Sequence, residues 1–201
     1  MKLYYSKGAC SLAVRIIIHE IGVACEFESV NLQTKQTEKG NDYFKINPKG
    51  SVPALVLENK KVLTENAVIQ QYLADTHKAS HLLPPLGDLK RYHVLEWLNF
   101  AGTDLHKSCG PLFNSNVPEN IKEEVFRPLL KKKLIFVEKQ LEQKAYLMGD
   151  EFTLPDSYVF VVLRWLASLK VDISDCPNLQ RYFAHLKERK SIQQALKEEH
   201  I

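Results

Sequence analysis

Hydrophobic and polar positions follow different patterns in the two halves of the chain. In the first half, short runs rich in β-branched and aromatic residues alternate with amphipathic stretches. The runs predict strands at residues 2–5, 26–30, 54–58 and 61–64, the last two joined by a turn at Asn59 and Lys60. The amphipathic stretches predict helices at residues 11–21, 42–46 and 66–76. This order predicts a four-stranded mixed sheet with one right-handed parallel crossover near its start.

The second half has no run typical of a strand. Its apolar positions recur at intervals of three and four, which predicts helices at residues 88–105, 119–141, 155–169, 179–187 and 192–198. Between the halves, Pro84, Pro85 and Gly87 interrupt both patterns and indicate a linker. We therefore predict an α+β domain over residues 1–80, a linker over 81–87 and an all-α domain over 88–201.

Composition narrows the class of protein further. The chain has 201 residues, of which 45% are hydrophobic, enough to bury a substantial core. A formal net charge of +3 is too balanced to favour nucleic acid or an anionic membrane as the main partner. The longest apolar stretch, residues 158–169, is interrupted by Arg164 and is too short to cross a bilayer. With no secretory signal and four scattered cysteines that show no disulfide framework and no zinc-ligand spacing, the sequence predicts a cytoplasmic protein.

Cys10 lies at the predicted junction between the first strand and the first helix. The unpaired amides and the positive dipole end of that helix favour a thiolate, which makes Cys10 a candidate reactive residue. The alternative is a small buried hydrophobe. Ser11 can either cap the same helix or donate its hydroxyl group to a ligand thiolate.

The segment NPKGSVPALV places Pro53 directly before a predicted strand, where proline cannot donate to a strand ladder. If the bond from Val52 to Pro53 is cis, the amide and carbonyl of Val52 can pair with an extended, peptide-like ligand. The alternative is an ordinary trans proline that opens the strand.

Glu65 and Asn66 stand between the predicted hairpin and the next helix. A carboxylate for a ligand ammonium and backbone amides for a ligand carboxylate together suit an amino-acid head group. The alternatives are a solvated surface position for Glu65 and a helix cap for Asn66.

A polar stripe follows in the helical half, where Asn99, Thr103 and His106 share one face of a predicted helix and Lys107 lies beside them. Ligand contact, a buried hydrogen-bonding cluster and an interface all produce this pattern. Three aromatic side chains are candidates either for an apolar pocket or for simple core packing: Tyr5, Phe113 and Trp165.

Five separated motifs point to one known family. They are YYSKGACSLA, NPKGSVPAL, LTENAVIQQYLAD, EWLNFAGTDLHK and MGDEFTLPDSYVF, and they occur in order along essentially the entire chain. With these motifs the sequence resembles the bacterial beta-class glutathione transferases. In the last motif, Thr153 and Asp156 match the capping box typical of the family's folding motif, which concerns stability.

The resemblance implies a thioredoxin-like amino-terminal domain with a mixed four-stranded sheet, an all-α carboxy-terminal domain and a cis bond before Pro53. It implies glutathione as co-substrate, no metal, and a homodimer in which the partner borders each glutathione site. A cleft between the domains would hold a small hydrophobic electrophile.

The resemblance also implies roles for individual residues. Cys10 matches the cysteine that contacts glutathione and can form a mixed disulfide with it, and Val52 matches the backbone clamp on the cysteinyl part. The other positions that match glutathione-binding residues are Lys35, Glu65, Asn66, Asn99, Thr103 and His106, the last three on the helical wall facing the thiol. Cys10, Ser11 and His106 are the predicted catalytic residues. Asn66 stands where the family often has serine, so the resemblance supports a backbone contact to the ligand carboxylate more strongly than a side-chain contact.

The sequence therefore predicts an enzyme that conjugates reduced glutathione to hydrophobic electrophiles, with thiol-disulfide exchange through Cys10 as a second activity. Two alternatives remain open at this point. One is a ligand-binding or regulatory protein that keeps the fold without catalysis. The other is a glutathione-dependent isomerase or dehalogenase on the same scaffold.

Overall fold

The computed structural model describes all 201 residues, which fold as two compact units. The first unit combines Met1–Ser80 with Lys190–Ile201, and the second consists of His81–Arg189. This division differs from the predicted one, which assigns all of residues 88–201 to the helical domain. The difference has a physical cause, because the last helix buries Ile192 and Ala195 and packs against the first helix of the chain.

The first unit is built on a mixed sheet with strand order β3-β2-β1-β4-β5. The strands are β1 (Lys2–Tyr5), β2 (Glu26–Asn31), β3 (Gln36–Thr37), β4 (Ala54–Val56) and β5 (Val62–Thr64). β1 pairs in parallel with β2 and antiparallel with β4, and β4 and β5 form the predicted hairpin. The sheet thus has five strands where the sequence predicts four, because the two-residue β3 is too short to show any alternation of side chains.

Three helices and one 3₁₀ turn complete the first unit. They are α1 (Ser11–Ile21), the 3₁₀ turn Tyr43–Lys45, α2 (Asn66–Thr76) and α9 (Lys190–Glu199). Every residue of α1 from Ser11 to Ile18 is buried, since this helix packs against β1, α2 and α9. Gly22 ends α1 in the left-handed conformation, with φ 75°, directly after the predicted last residue of this helix.

The second unit is entirely helical. It contains α3 (Leu89–Phe100), α4 (Lys107–Phe113), α5 (Glu119–Ile121), α6 (Arg127–Gln140), α7 (Leu154–Trp165) and α8 (Pro177–Lys187). Two π-helical segments, Ala101–His106 and Lys122–Phe126, join α3 to α4 and α5 to α6. The predicted helix at 88–105 therefore continues to Phe113; Gly110 and Pro111 are poor helix residues, but Cys109 and Leu112 keep the apolar spacing and are buried. No helix of either unit is long and apolar enough to span a membrane.

The start of α7 confirms the predicted capping box. The Thr153 amide donates to one oxygen of the Asp156 carboxylate at 2.8 Å. The other oxygen accepts from the Leu147 amide at 3.0 Å and from the Tyr182 hydroxyl at 2.7 Å. Complete burial raises the pKa of Asp156 above its ordinary value, even though these donors favour the carboxylate.

Replacing Asp156 tests how much this cluster stabilises the second unit. We expect Asp156→Asn to lower the free energy of unfolding by about 2–4 kcal/mol, because a donating amide replaces an acceptor and leaves buried donors without partners. Urea unfolding followed by circular dichroism measures the change. Asp150→Asn, at an exposed position, serves as the control and should change stability by less than about 0.5 kcal/mol. Equal effects of the two substitutions would contradict this role of Asp156.

Candidate functional site

Cys10 lies where the sequence predicts it, directly before the first residue of α1. Its side chain is half-buried, and its Sγ donates a hydrogen bond to the Val52 carbonyl oxygen at 3.3 Å. The thiol is thus at the positive end of the α1 dipole, where a negative sulfur is favoured. Cys10 is therefore not a fully buried hydrophobic cysteine, which was the alternative interpretation of this position.

Ser11 has a different environment from the one predicted. The residue is fully buried, its hydroxyl oxygen accepts from the Ser6 amide at 3.2 Å, and the hydroxyl donates to the Ser6 carbonyl at 3.3 Å. It neither caps α1 nor faces solvent. These two bonds attach the loop after β1 to the start of α1. The Ser11 hydroxyl therefore stabilises the loop that carries Cys10.

Asn66 also turns inward. It is the first residue of α2 and does not cap it, since Glu65 occupies the cap position. The Asn66 side-chain amide donates to the Cys10 carbonyl at 2.6 Å, and its oxygen accepts from Gln70 at 2.6 Å. Because the amide group is buried and both its nitrogen and its oxygen already have partners, the backbone of Asn66 is better placed than the side chain to bind a ligand.

The segment around Val52 lies next to the Cys10 thiol. The Val52–Pro53 bond is cis, as the family resemblance implies. The Val52 carbonyl accepts from Cys10, while the Val52 amide has no hydrogen-bond partner within the protein. Two hydrogen bonds hold the preceding turn in place. The Tyr43 hydroxyl and the Asn47 side-chain amide both donate to the Ser51 carbonyl, at 2.8 and 2.7 Å.

Lys35 and Glu65 flank this segment. The Lys35 ammonium donates to the Gly50 carbonyl at 2.8 Å. Gly50 has φ 63°, and a Cβ atom there would lie 2.7 Å from the Phe44 ring, so both the backbone conformation and the available space favour glycine. Glu65 is exposed, and its carboxylate forms an ion pair with Lys49. Sequence reasoning missed Lys49, although it stands within the NPKGSVPAL motif.

The sequence analysis also missed a group of residues centred on Arg15. This group contacts the Cys10 loop, which consists of residues 6–10 between β1 and α1. Arg15 is almost completely buried, with its guanidinium 4.1 Å from the Tyr5 ring centroid and 4.0 Å from that of Phe27. Glu198 and Glu199 of α9 form ion pairs with it at 3.2 and 3.3 Å. The sequence feature that could have revealed this group is the arginine inside the otherwise apolar run LAVRIII.

Glu199 also reaches the Cys10 loop directly. One of its carboxylate oxygens accepts from the Gly8 amide at 2.7 Å, while the other lies next to Arg15. Tyr5, a predicted pocket residue, is half-buried and lies against the Arg15 guanidinium. A carboxylate from the last helix therefore fixes the backbone two residues before Cys10.

In the second unit, Asn99 and Thr103 are exposed, whereas His106 is half-buried. Thr103 donates to the Asn99 carbonyl and to Asp104 Oδ2, both at 3.0 Å, and no hydrogen bond joins either residue to His106. The prediction of a shared face assumes α-helical spacing, whereas Ala101–His106 is π-helical and has more residues per turn. Its side chains beyond Thr103 are therefore displaced from the predicted face.

His106 points toward α7. Its Nδ1 lies 2.7 Å from the Tyr158 hydroxyl, and its ring centroid is 5.0 Å from that of Trp165. Trp165 meets Phe113 edge-on at 5.4 Å, so two predicted pocket residues are neighbours. Burial, and then the charge of Lys107, lower the pKa of His106 to about 4, which makes the imidazole neutral at pH 7.

The contact between Glu199 and the Cys10 loop can be tested by removing the charge and keeping the shape. We expect Glu199→Gln to lower the free energy of unfolding by about 3 kcal/mol, since a buried guanidinium loses a charged partner. The rate of Cys10 alkylation by iodoacetamide should change as well, because the Gly8 backbone loses a strong acceptor.

Glu198→Gln is the matched comparison for this experiment. Glu198 lies on the same turn of α9, but its side chain is 29% exposed and also contacts His19. We expect a smaller loss of stability and an unchanged alkylation rate. A larger effect of Glu198→Gln than of Glu199→Gln on both measurements would contradict the assignment.

Comparison with known proteins relates this geometry to a family. Residues 8–76 match the amino-terminal domain of glutathione S-transferases, and residues 105–190 match the carboxy-terminal domain. The chain is 42% identical over 199 residues to glutathione S-transferase GstA of Escherichia coli O157:H7, covering 99% of this chain and 98% of the relative.

Solved structures give the same result. The chain superposes with a TM-score of 0.95 on a sphingomonad glutathione S-transferase complexed with glutathione, at 37% identity and full coverage of both chains. The bacterial beta-class glutathione S-transferase of Sphingomonas chungbukensis gives a TM-score of 0.94 at 39% identity, with 99% of this chain and 98% of the other covered. The chain therefore belongs to the glutathione S-transferase family, among its bacterial beta-class members.

Proposed function

We propose that the protein binds reduced glutathione in its first unit and transfers it to small hydrophobic electrophiles, with a further capacity for thiol-disulfide exchange. The observation that carries this proposal is the position of Cys10. Its thiol lies at the amino-terminal end of α1 and contacts the carbonyl of Val52, in front of the cis Val52–Pro53 bond. This arrangement supports the proposal, because it places a thiol beside a backbone segment with which an extended tripeptide can pair.

The backbone of Val52 supports binding of the cysteinyl part of glutathione. Its amide is without a partner, and its carbonyl is bound only by a thiol, which is a weak donor. An extended peptide that pairs with both groups replaces one weak bond with two amide hydrogen bonds. The side chain of Lys35 lies beside this segment, where an ammonium group can attract a ligand carboxylate.

The start of α2 suits the γ-glutamyl part. The first amides of a helix attract a carboxylate, and Glu65 at the cap position supplies a carboxylate for the ligand ammonium. Because Lys49 already pairs with Glu65, an incoming ammonium competes with a lysine for the same oxygen atoms. The Asn66 side chain is committed to Cys10 and Gln70, so its backbone amide supplies the contact.

Activation of glutathione requires a lower free energy for its thiolate. A thiol with a pKa of about 8.5 is mostly protonated at pH 7, and lowering that pKa by about 2 units corresponds to roughly 2.7 kcal/mol. The α1 dipole and the Cys10 thiol supply part of this stabilisation in the proposal. Among the residues of the second unit that match glutathione-binding positions, we assign the catalytic role to His106 in its neutral form, with Asn99 and Thr103 as binding residues.

Thiol-disulfide exchange uses the same cysteine. The Cys10 thiolate attacks the sulfur of a disulfide that contains glutathione, a mixed disulfide forms, and the other thiolate leaves. A second glutathione thiolate then attacks the mixed disulfide, releases oxidised glutathione and restores Cys10. Following the same resemblance, the protein works in the cytoplasm as a homodimer, with the electrophile bound mainly by the helical domain.

Binding and turnover test the proposal separately. Titration calorimetry with reduced glutathione should show saturable binding, and addition of a chloronitrobenzene acceptor should give conjugate at a rate above the uncatalysed reaction. Binding without turnover would favour a ligand carrier on the same fold. Absence of binding would overturn the proposal.

The two activities are separated by replacing Cys10. We expect Cys10→Ala to abolish reduction of a glutathione mixed disulfide and to keep conjugation within about tenfold of the unmodified protein, because the exchange reaction alone needs a covalent sulfur intermediate. Steady-state assays of both reactions measure the result. Cys25→Ala, at the other half-buried cysteine of the first unit, should leave both rates unchanged. Equal losses of both activities in Cys10→Ala would contradict this division of roles.

A further inference from the structure

His106 has its ring held on two sides by aromatic side chains of the second unit. The ring centroid of Tyr158 is 5.7 Å away and that of Trp165 is 5.0 Å away, each at a steep angle to the imidazole plane. Phe113 supports Trp165 edge-on. These contacts fix the plane of the imidazole, so which ring nitrogen carries the proton decides what the residue can do.

The backbone beneath His106 is fixed as well. Lys133 of α6 forms an ion pair with Asp104 Oδ1 at 3.1 Å and donates to the Asp104 carbonyl at 3.2 Å and to Ser108 Oγ at 2.9 Å. Lys133 thus holds Asp104 and Ser108, which lie two positions before and two positions after His106. The π-helical segment therefore presents the imidazole to α7 in one orientation.

The polar contact of the ring is a single short one. His106 Nδ1 and the Tyr158 hydroxyl oxygen are 2.7 Å apart, and Tyr158 is 4% exposed. A phenol, with a pKa of about 10, is a much stronger acid than the N–H of a neutral imidazole, so the favoured arrangement has the phenol donating. The distance agrees, because bonds donated by a hydroxyl are typically about 0.2 Å shorter than those donated by N–H.

We propose that Tyr158 is a positioning residue that donates to His106 Nδ1, holds the ring proton on Nε2 and so makes His106 a hydrogen-bond donor instead of a general base. The inference rests on the proposed function, in which His106 acts on the glutathione thiol. An Nε2–H group stabilises the thiolate of glutathione but has no lone pair with which to accept the thiol proton. The proton released on thiolate formation then passes to solvent water.

The low pKa of His106 agrees with this assignment. An imidazole that stays neutral well below pH 7 carries one proton only, and a donor at Nδ1 leaves Nε2 as the only place for it. A neutral donor has the further property that it stabilises a thiolate without placing a full positive charge in a buried position.

Nitrogen-15 NMR of the ligand-free protein tests the inference directly. A ring nitrogen that bears a proton and one that does not differ widely in chemical shift, and His106→Asn identifies the His106 signals among those of the seven histidines. We expect the proton on Nε2 at pH 7. In Tyr158→Phe the two nitrogen signals should move toward each other, because the tautomers then exchange. A proton on Nδ1 in the unmodified protein, or identical spectra for the two proteins, would overturn the proposal.

Tyr146→Phe is the matched control, since it removes another buried tyrosine hydroxyl of the second unit, one that accepts from Arg189 at 3.2 Å. It should leave the His106 signals unchanged; a shift as large as that of Tyr158→Phe would overturn the assignment. In conjugation assays, we expect Tyr158→Phe to lower kcat about five- to tenfold and to change KM for glutathione by less than about twofold.

The NMR and kinetic experiments distinguish a failure of the role of Tyr158 from a failure of the proposed function. The tautomer is observed without any ligand, so an Nε2–H signal in a protein that does not conjugate glutathione would support the role of Tyr158 and overturn the transferase function. Conversely, active enzyme with the proton on Nδ1 would overturn the role of Tyr158 and support the transferase function.

Discussion

The buried guanidinium of Arg15 is the constraint on which the first unit depends. A charge in the interior requires a neutralising partner, and Tyr5 and Phe27 on either side provide only the faces of their rings. The carboxylates come from Glu198 and Glu199, so α9 must pack on α1 although the whole helical unit separates them in sequence. Neutralising this charge also positions the functional loop, because Glu199 binds the Gly8 amide as well.

The loop that carries Cys10 is held by bonds that do not use its thiol. Ser11 binds the backbone of Ser6, Glu199 binds the amide of Gly8, and Asn66 binds the carbonyl of Cys10 itself. None of these side chains needs to touch a substrate to matter for the reaction. Their common effect is to place one half-buried sulfur at a helix terminus with little remaining freedom, which reduces the reorganisation that binding would otherwise require.

Periodicity in the sequence is enough to predict most elements, because nearly all the apolar positions of β1, α1 and α7 are buried. It could not predict that α9 belongs to the first unit, since an amphipathic helix does not specify which surface it covers. Nor could it predict the π-helical segment before α4. In the site, Cys10 and the cis Val52–Pro53 bond agree with the sequence analysis, whereas the inward turn of Ser11 and Asn66 depends on tertiary partners that local sequence does not show.

The sequence separation between Arg15 and Glu198 has a consequence for biosynthesis. The two residues are 183 positions apart, so at a translation rate of about 5–20 residues per second roughly ten to forty seconds pass between their synthesis. During that interval the nascent first unit contains a guanidinium without its carboxylates. The ion pairs of Arg15, and with them the final packing of α9 on α1, can therefore form only after the helical unit has been made.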